Sequence, residues 1–337
     1  MATSSVATSI PPSLRTLLES IVDYAGLFPP AGLPLSEAFP NYLSYRMGPH
    51  AWMLNHFIIP VGRLDDLTPY AGDVSPEDPV TLSVLGTGGD DSATFVEGFE
   101  STLGAIDTLH TTQDGRFSVE VVEVRLPTAF ASHDEANLAE AMDQLLILLG
   151  EKLQKADLST LDLFLEVPLE QPTSFFDGVA LALTRFNQRQ GLQHGLRVGF
   201  KMRTGSTEPD EVPNPHDVAR ALTACHRAKV HFKATAGLHH PMRHYNEELG
   251  GPMHGFLNVF GAAALTAAHD LSADAVTTLL QAEDVEQLLF ADDGLIWDDL
   301  QVPIDVLRTV RAERAFSFGS CSFDEPREDL RAIGLLP

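Results

Sequence analysis

Two runs decide how this chain is read: VGFKMRTG at residues 198–205 and VHFKATAG at 230–237. Each is short and β-rich, and each carries a lysine at its centre. Only five of the 22 Lys and Arg residues are lysines, so two of them inside apolar strands need a reason. Alternation along a strand sends successive side chains to opposite faces. Val198, Phe200 and Met202 then share one face, and Lys201 and Arg203 share the other. In the second run Val230, Phe232 and Ala234 face one way, and His231, Lys233 and Thr235 the other.

Similar runs recur along the chain: SIVDYAGL (20–27), MLNHFIIP (53–60), VTLSVLG (80–86), VEVVEVRLP (119–127), LDLFLEVP (161–168) and AFSFGSCSF (315–323). Amphipathic segments separate them, among them 134–156 and 214–228. The second of these should start at Asn214 or Pro215, with Asp217 in its first turn. Eight β-rich runs alternating with helical segments predict an α/β fold, a (β/α)8 TIM barrel. Residues 1–12 read as a flexible tail and 13–337 as one barrel domain. A long insertion, approximately 242–314, falls between the seventh and eighth strands. It contains the helical stretches GFLNVFGAAALTAAHD and IDVLRTVRAER.

In such a barrel the reactive side chains sit at the C-terminal strand ends and point inward. Alternation in the fourth run turns Glu123 and Arg125 inward, and in the fifth it turns Glu166 inward beside Phe164. One mouth then holds Glu123, Arg125, Glu166, Lys201, Arg203 and Lys233. A lysine beside a second cation and partly desolvated loses its proton more readily. It becomes a nucleophilic amine, able to form a Schiff base with an aldehyde or ketone while a carboxylate moves protons. The plainer alternative is a set of buried structural ion pairs.

The ordered motifs resemble those of class I aldolases of the deoxyribose-phosphate aldolase type. IVDYAGLFPPAG is similar to that family's opening motif, VTLSVLGTGG to its third strand, VEVRLP to its fourth and LFLEV to its fifth. VGFKMRTG resembles the strand with the Schiff-base lysine, VHFKATAG the strand with the second lysine, and FGSCS the final Gly-and-Ser phosphate turn. The resemblance implies Lys201 as the imine-forming residue, Lys233 as its activator, Glu123 as proton relay and Asp23 as the inward acid of the first strand. Thr235, Gly237, Gly319, Ser320 and Ser322 are further candidate substrate contacts. The chain departs from that pattern as a divergent branch. Its relay acid is Glu where the family carries Asp, and Arg203 stands where the family has a small hydroxyl residue. VDYAGLFPPAG, FKATAGLHHP and FGSCSFDEP together also resemble bacterial proteins of unassigned function.

GSCS at 319–322 offers backbone N–H groups and hydroxyls to a phosphate or carboxylate, or forms a plain turn with Ser322 or Asp324 as helix cap. Arg203 and Arg125 would add anion contacts. GLHHPMRHY (237–245) brings His239, His240 and His244 close together, with His239 the favoured substrate contact or acid/base. A metal held by Glu166 and these histidines, in a barrel hydrolase or isomerase, is one rival reading. A non-catalytic metabolite-binding barrel is another. TGGDD (87–91) lacks the lysine of a phosphate loop and reads as a solvated turn. FPPAG (28–32) reads as a rigid turn over the barrel mouth, and FADDGLIWDD (290–299) as a lid or an oligomer contact.

Composition bounds the partners. At 337 residues with 44% hydrophobic content, the chain can bury a large core. Forty-seven acids give a net charge of −25, which argues against nucleic acid and anionic membranes as partners. It fits a salt-rich cytosol, or simply an acidic protein. Cys225 and Cys321 are too few for a disulfide framework. The polar N-terminus does not read as a signal peptide, and no apolar run approaches the roughly 20 residues of a membrane span. The expectation is a soluble, cytoplasmic enzyme that could assemble as a homo-oligomer. It would act without a cofactor on a small anionic carbonyl compound.

Overall fold

The computed structural model describes residues 10–132, 135–156, 161–191 and 197–337. The strands are β1 (Val22–Tyr24), β2 (Leu54–Pro60), β3 (Val80–Leu85), β4 (Phe117–Arg125), β5 (Asp162–Val167), β6 (Arg197–Arg203) and β7 (Phe232–Thr235). They continue with β8 (His244–Asn246), β9 (Gly251–Met253), β10 (Leu288–Phe290), β11 (Gly294–Trp297), β12 (Leu300–Pro303) and β13 (Ala315–Ser320). Eight of them close a barrel in the order β1-β13-β7-β6-β5-β4-β3-β2. The pairings of β2 through β6 and of β1 with β13 are parallel. The α/β barrel expected from the alternating runs is therefore present. Its strands are shorter than several of the runs, because Gly, Pro and left-handed residues end them: Ala236 (φ 62°) and Gly237 (φ 75°) follow β7 directly.

The chain folds as two compact units, one being His56–Met202 with Arg227–Lys233. Its helices are α3 (Ser92–Thr112), α4 (Glu135–Lys155) and α5 (Thr173–Phe186), which follow α1 (Pro12–Leu18) and α2 (Leu35–Arg46) in the chain. Asp91 starts α3 with a capping box: its carboxylate accepts from the Thr94 N–H at 2.9 Å. TGGDD thus works as a helix start. Alternation is visible in the packing of β6. Val198, Phe200 and Met202 are fully buried, and Phe200 meets Phe176 of α5 edge-on at 6.3 Å. Gly199 points the other way, and a Cβ there would drive into the Phe164 ring of β5. Phe164 in turn lies 6.1 Å from His231. The missing side chain at 199 makes room for that ring layer.

The other unit comprises the described parts of Met1–Asn55, Arg203–His226 and Ala234–Pro337. Here α6 (Pro215–Ala228) starts where the sequence predicts, with the Asn214 side chain accepting from the Asp217 N–H at 3.0 Å. Between β7 and β13 lie the β8–β9 ribbon, α7 (Phe256–His269), α8 (Ala273–Gln281), the β10–β11–β12 sheet and α9 (Ile304–Glu313). The stretch GFLNVFGAAALTAAHD is helical as read, and Phe256 and Phe260 pack on Phe318 of β13 at 5.2 and 5.8 Å. Trp297 is 1% exposed, and a Cβ on Gly261 would meet its ring at 3.3 Å. The tryptophan of FADDGLIWDD is thus a core residue of the unit rather than a lid surface. The final helix is α10 (Asp324–Ala332). Of the expected tail, residues 1–9 lie outside the described residues, and α1 already begins at Pro12. Among the described residues no helix is long and apolar enough to cross a membrane.

Candidate functional site

Parallel register sets Glu166 of β5 directly beside Lys201 of β6, and Arg125 of β4 beside Glu166. All three lie in the C-terminal halves of their strands, with Glu123 two residues before Arg125. Lys201 Nζ sits 2.8 Å from Glu123 Oε2 and 2.8 Å from Glu166 Oε2. Lys233 Nζ takes the other oxygen of Glu123 at 2.5 Å and donates to Ser83 Oγ of β3 at 3.2 Å. Ser83 in turn donates to Glu123 Oε1 at 2.5 Å. Lys233 is wholly buried and Lys201 is 6% exposed. Arg125 stands mostly in solvent, 3.6 Å from Glu166 Oε1.

Two ammonium and two carboxylate groups thus balance in one buried cluster. Such burial is tolerable only because each charge is paired. Burial opposes the charged form of Glu123, but Lys201 and Lys233 outweigh it and bring its pKa down to about 2. Burial likewise opposes the charge on Lys201, but Glu123 and Glu166 push its pKa above the ordinary lysine value. This differs from the expected depression by a neighbouring lysine. A single cation next door is overruled by two carboxylates in contact.

The remaining sequence-predicted residues lie in the other unit. Asp23 is fully buried and accepts from Ser317 Oγ at 2.5 Å, and its register partner across β1 and β13 is Gly319. Arg203 turns its Nε onto the Gly205 carbonyl at 3.1 Å. Thr235 offers its carbonyl to the Thr204 N–H at 2.8 Å, and Gly237 abuts Gly205 so closely that a Cβ would meet its Cα at 2.9 Å. Ser320 donates to the Ser322 carbonyl at 2.7 Å, and Ser322 Oγ accepts from the Glu325 N–H at 3.1 Å. Both hydroxyls of the GSCS turn therefore serve the turn and the start of α10. His239 lies against Glu325 at 3.1 Å, while His240 pairs with Asp329 and meets His244 with ring centroids 4.1 Å apart. Among the described residues no three His, Cys, Asp or Glu side chains gather as a metal-ligand set.

Ser83 escaped the sequence reading. Its signal is a small hydroxyl at an alternate position of the apolar run VTLSVLG, on the side opposite Leu82 and Val84. Cys321 and Glu325 escaped as well, because their contact with His239 joins segments more than 80 residues apart.

The fold and this cluster define an eight-stranded parallel α/β barrel with paired lysines and glutamates near the strand ends. No protein-family model matches the sequence, and no curated protein matches it. Among solved structures it is similar to cellobiohydrolase II (Cel6A) from Humicola insolens in complex with glucose and cellotetraose. The identity is 12%, covering 70% of this chain and 77% of that one, at a TM-score of 0.37. A mutant of that enzyme bound to methyl-tetrathio-alpha-d-cellopentoside gives 11% identity over 66% and 73%, also at 0.37. Likeness at that level carries no argument about what this chain does.

Proposed function

We propose that this barrel is a lyase that makes or breaks a carbon–carbon bond through an imine on Lys201, acting on a small anionic carbonyl compound. The observation that carries the reading is the position of Lys201 Nζ, 2.8 Å from each of two carboxylates. An amine that attacks a carbonyl carbon must first lose a proton, and the resulting carbinolamine must lose water. Both transfers need an acid/base group within hydrogen-bond reach. Glu166, the more exposed of the two acids, fits that role, while Glu123 is fixed between both lysines and Ser83. Lys233, with no exposed surface, keeps Glu123 ionised. Arg125, exposed beside Glu166, supplies a forked donor for a substrate carboxylate or phosphate.

The raised pKa of Lys201 favours a second reading, in which the cluster is a structural ion-pair network of a metabolite-binding barrel. Borohydride separates the two. A panel of small phosphorylated and carboxylated aldehydes and ketones, each reduced in the presence of the protein, should yield a stable secondary amine on Lys201 with at least one compound. Turnover of a substrate with no adduct on any lysine overturns the imine mechanism.

A further inference from the structure

We propose that Cys321 is a second nucleophilic centre of this chain, a thiol served by His239 and Glu325 that adds to small, uncharged α,β-unsaturated carbonyl compounds. It is independent of the imine reading. Cys321 follows β13 directly, at the turn into α10, and Glu325 stands in that helix's first turn. His239 follows β7 by four residues, on a backbone pinned by the Gly205–Gly237 approach and by Thr204, whose hydroxyl donates to the Ala236 carbonyl at 2.8 Å. The Cys321 sulfur lies 3.8 Å from His239 Nδ1 and 3.9 Å from Nε2, so the imidazole edge is within reach of the thiol proton. Glu325 holds the ring at Nδ1 at 3.1 Å, with Ser320 Oγ 3.4 Å from the same atom. Nucleophile, base and orienting carboxylate are the three parts of an activated thiol.

The electrostatics agree. Burial disfavours the imidazolium of His239, but Cys321 and Glu325 outweigh burial and hold its pKa up at about 9. At neutral pH the ring is therefore an imidazolium, a cationic partner for the sulfur as it attacks and a proton donor to the adduct. Tyr24 also bears on Cys321, and Asp324 precedes Glu325 at the helix start. Glu325, 3.1 Å from His239 Nδ1, puts a carboxylate in the cluster, which disfavours an anionic electrophile and selects an uncharged one. In the addition, a bond forms from sulfur to the β-carbon and the C=C electron pair shifts toward the carbonyl. His239 gives a proton to the α-carbon and regains the one the thiol gives up, and nothing is oxidised or reduced.

The test is limiting but-3-en-2-one on the folded full chain, with adducts mapped by peptide mass. Cys225, 2% exposed within α6, is the internal comparison. Cys321 should react at least about tenfold faster than Cys225, a modest share of the usual acid–base contribution. His239→Gln should bring Cys321 down to the Cys225 rate, and Glu325→Gln should slow it several-fold. Glu325 has a half-exposed side chain, so that variant keeps the test open if His239→Gln does not fold. Equal rates at the two cysteines, or wild-type Cys321 labelling in Glu325→Gln, overturns the proposal.

Discussion

Glu123 is the residue on which the barrel interior turns, since one oxygen takes Lys233 and Ser83 and the other takes Lys201. Glu123→Gln would leave two buried ammonium groups short of a partner. The expected cost is about 3–5 kcal/mol, read from denaturant midpoints, because breaking a buried pair strands its charge. Ser83→Ala removes one buried hydrogen bond and should cost about 1–3 kcal/mol. The same geometry sets the pH dependence. The folded pKa of Glu123 lies near 2 against an ordinary 4.5, so its stabilisation is complete above pH 4.5 and is lost as pH falls toward 2. Glu123→Gln should flatten that part of the acid unfolding curve, and an unchanged curve contradicts the assignment. Lys201 runs the other way. Its raised pKa stabilises the fold below the ordinary 10.5 and ceases to do so above its folded value. For the same reason imine formation should accelerate with pH into the alkaline range.

At the level of strands, period-two alternation made most of the cluster legible. It placed Glu123, Glu166, Lys201 and Lys233 on inward faces, and these four are the residues brought together. Alternation assigns faces but not partners, so it could not say that two carboxylates would outweigh the second lysine. Nor could it tell that Ser83 belongs to the set, since one hydroxyl in a strand is an ordinary occurrence. His239, Cys321 and Glu325 were illegible together because loop contacts depend on turn geometry rather than on a period. Gly199→Val would force a branched side chain against the Phe164 ring and the His231 carbonyl. Overpacking of this kind costs typically about 1–3 kcal/mol. A thermal midpoint equal to wild type would mean that the Phe164 layer yields freely.

Charge is the property that belongs to the molecule as a whole. Surface ion pairs such as Arg63–Asp66 and Arg227–Asp177 weaken as salt rises, and each contributes little. The 25 uncompensated negative charges repel one another across the whole surface, and salt screens that repulsion. The second effect is the larger, so the melting temperature should climb as potassium chloride rises from about 0.1 to 1 M, where the screening length falls from about 10 to 3 Å. A flat or falling midpoint would count against it. The barrel's centre is shielded from that salt, and there the proposed chemistry rests on one amine. Its most direct measurement is peptide mapping of the borohydride-reduced adduct in wild type, Lys201→Met and Lys233→Met. The adduct mass is expected on Lys201 in wild type and should be lost in Lys201→Met. Lys233→Met should retain a slower adduct at the same residue. An adduct on Lys233, or one that persists in Lys201→Met, contradicts that chemistry.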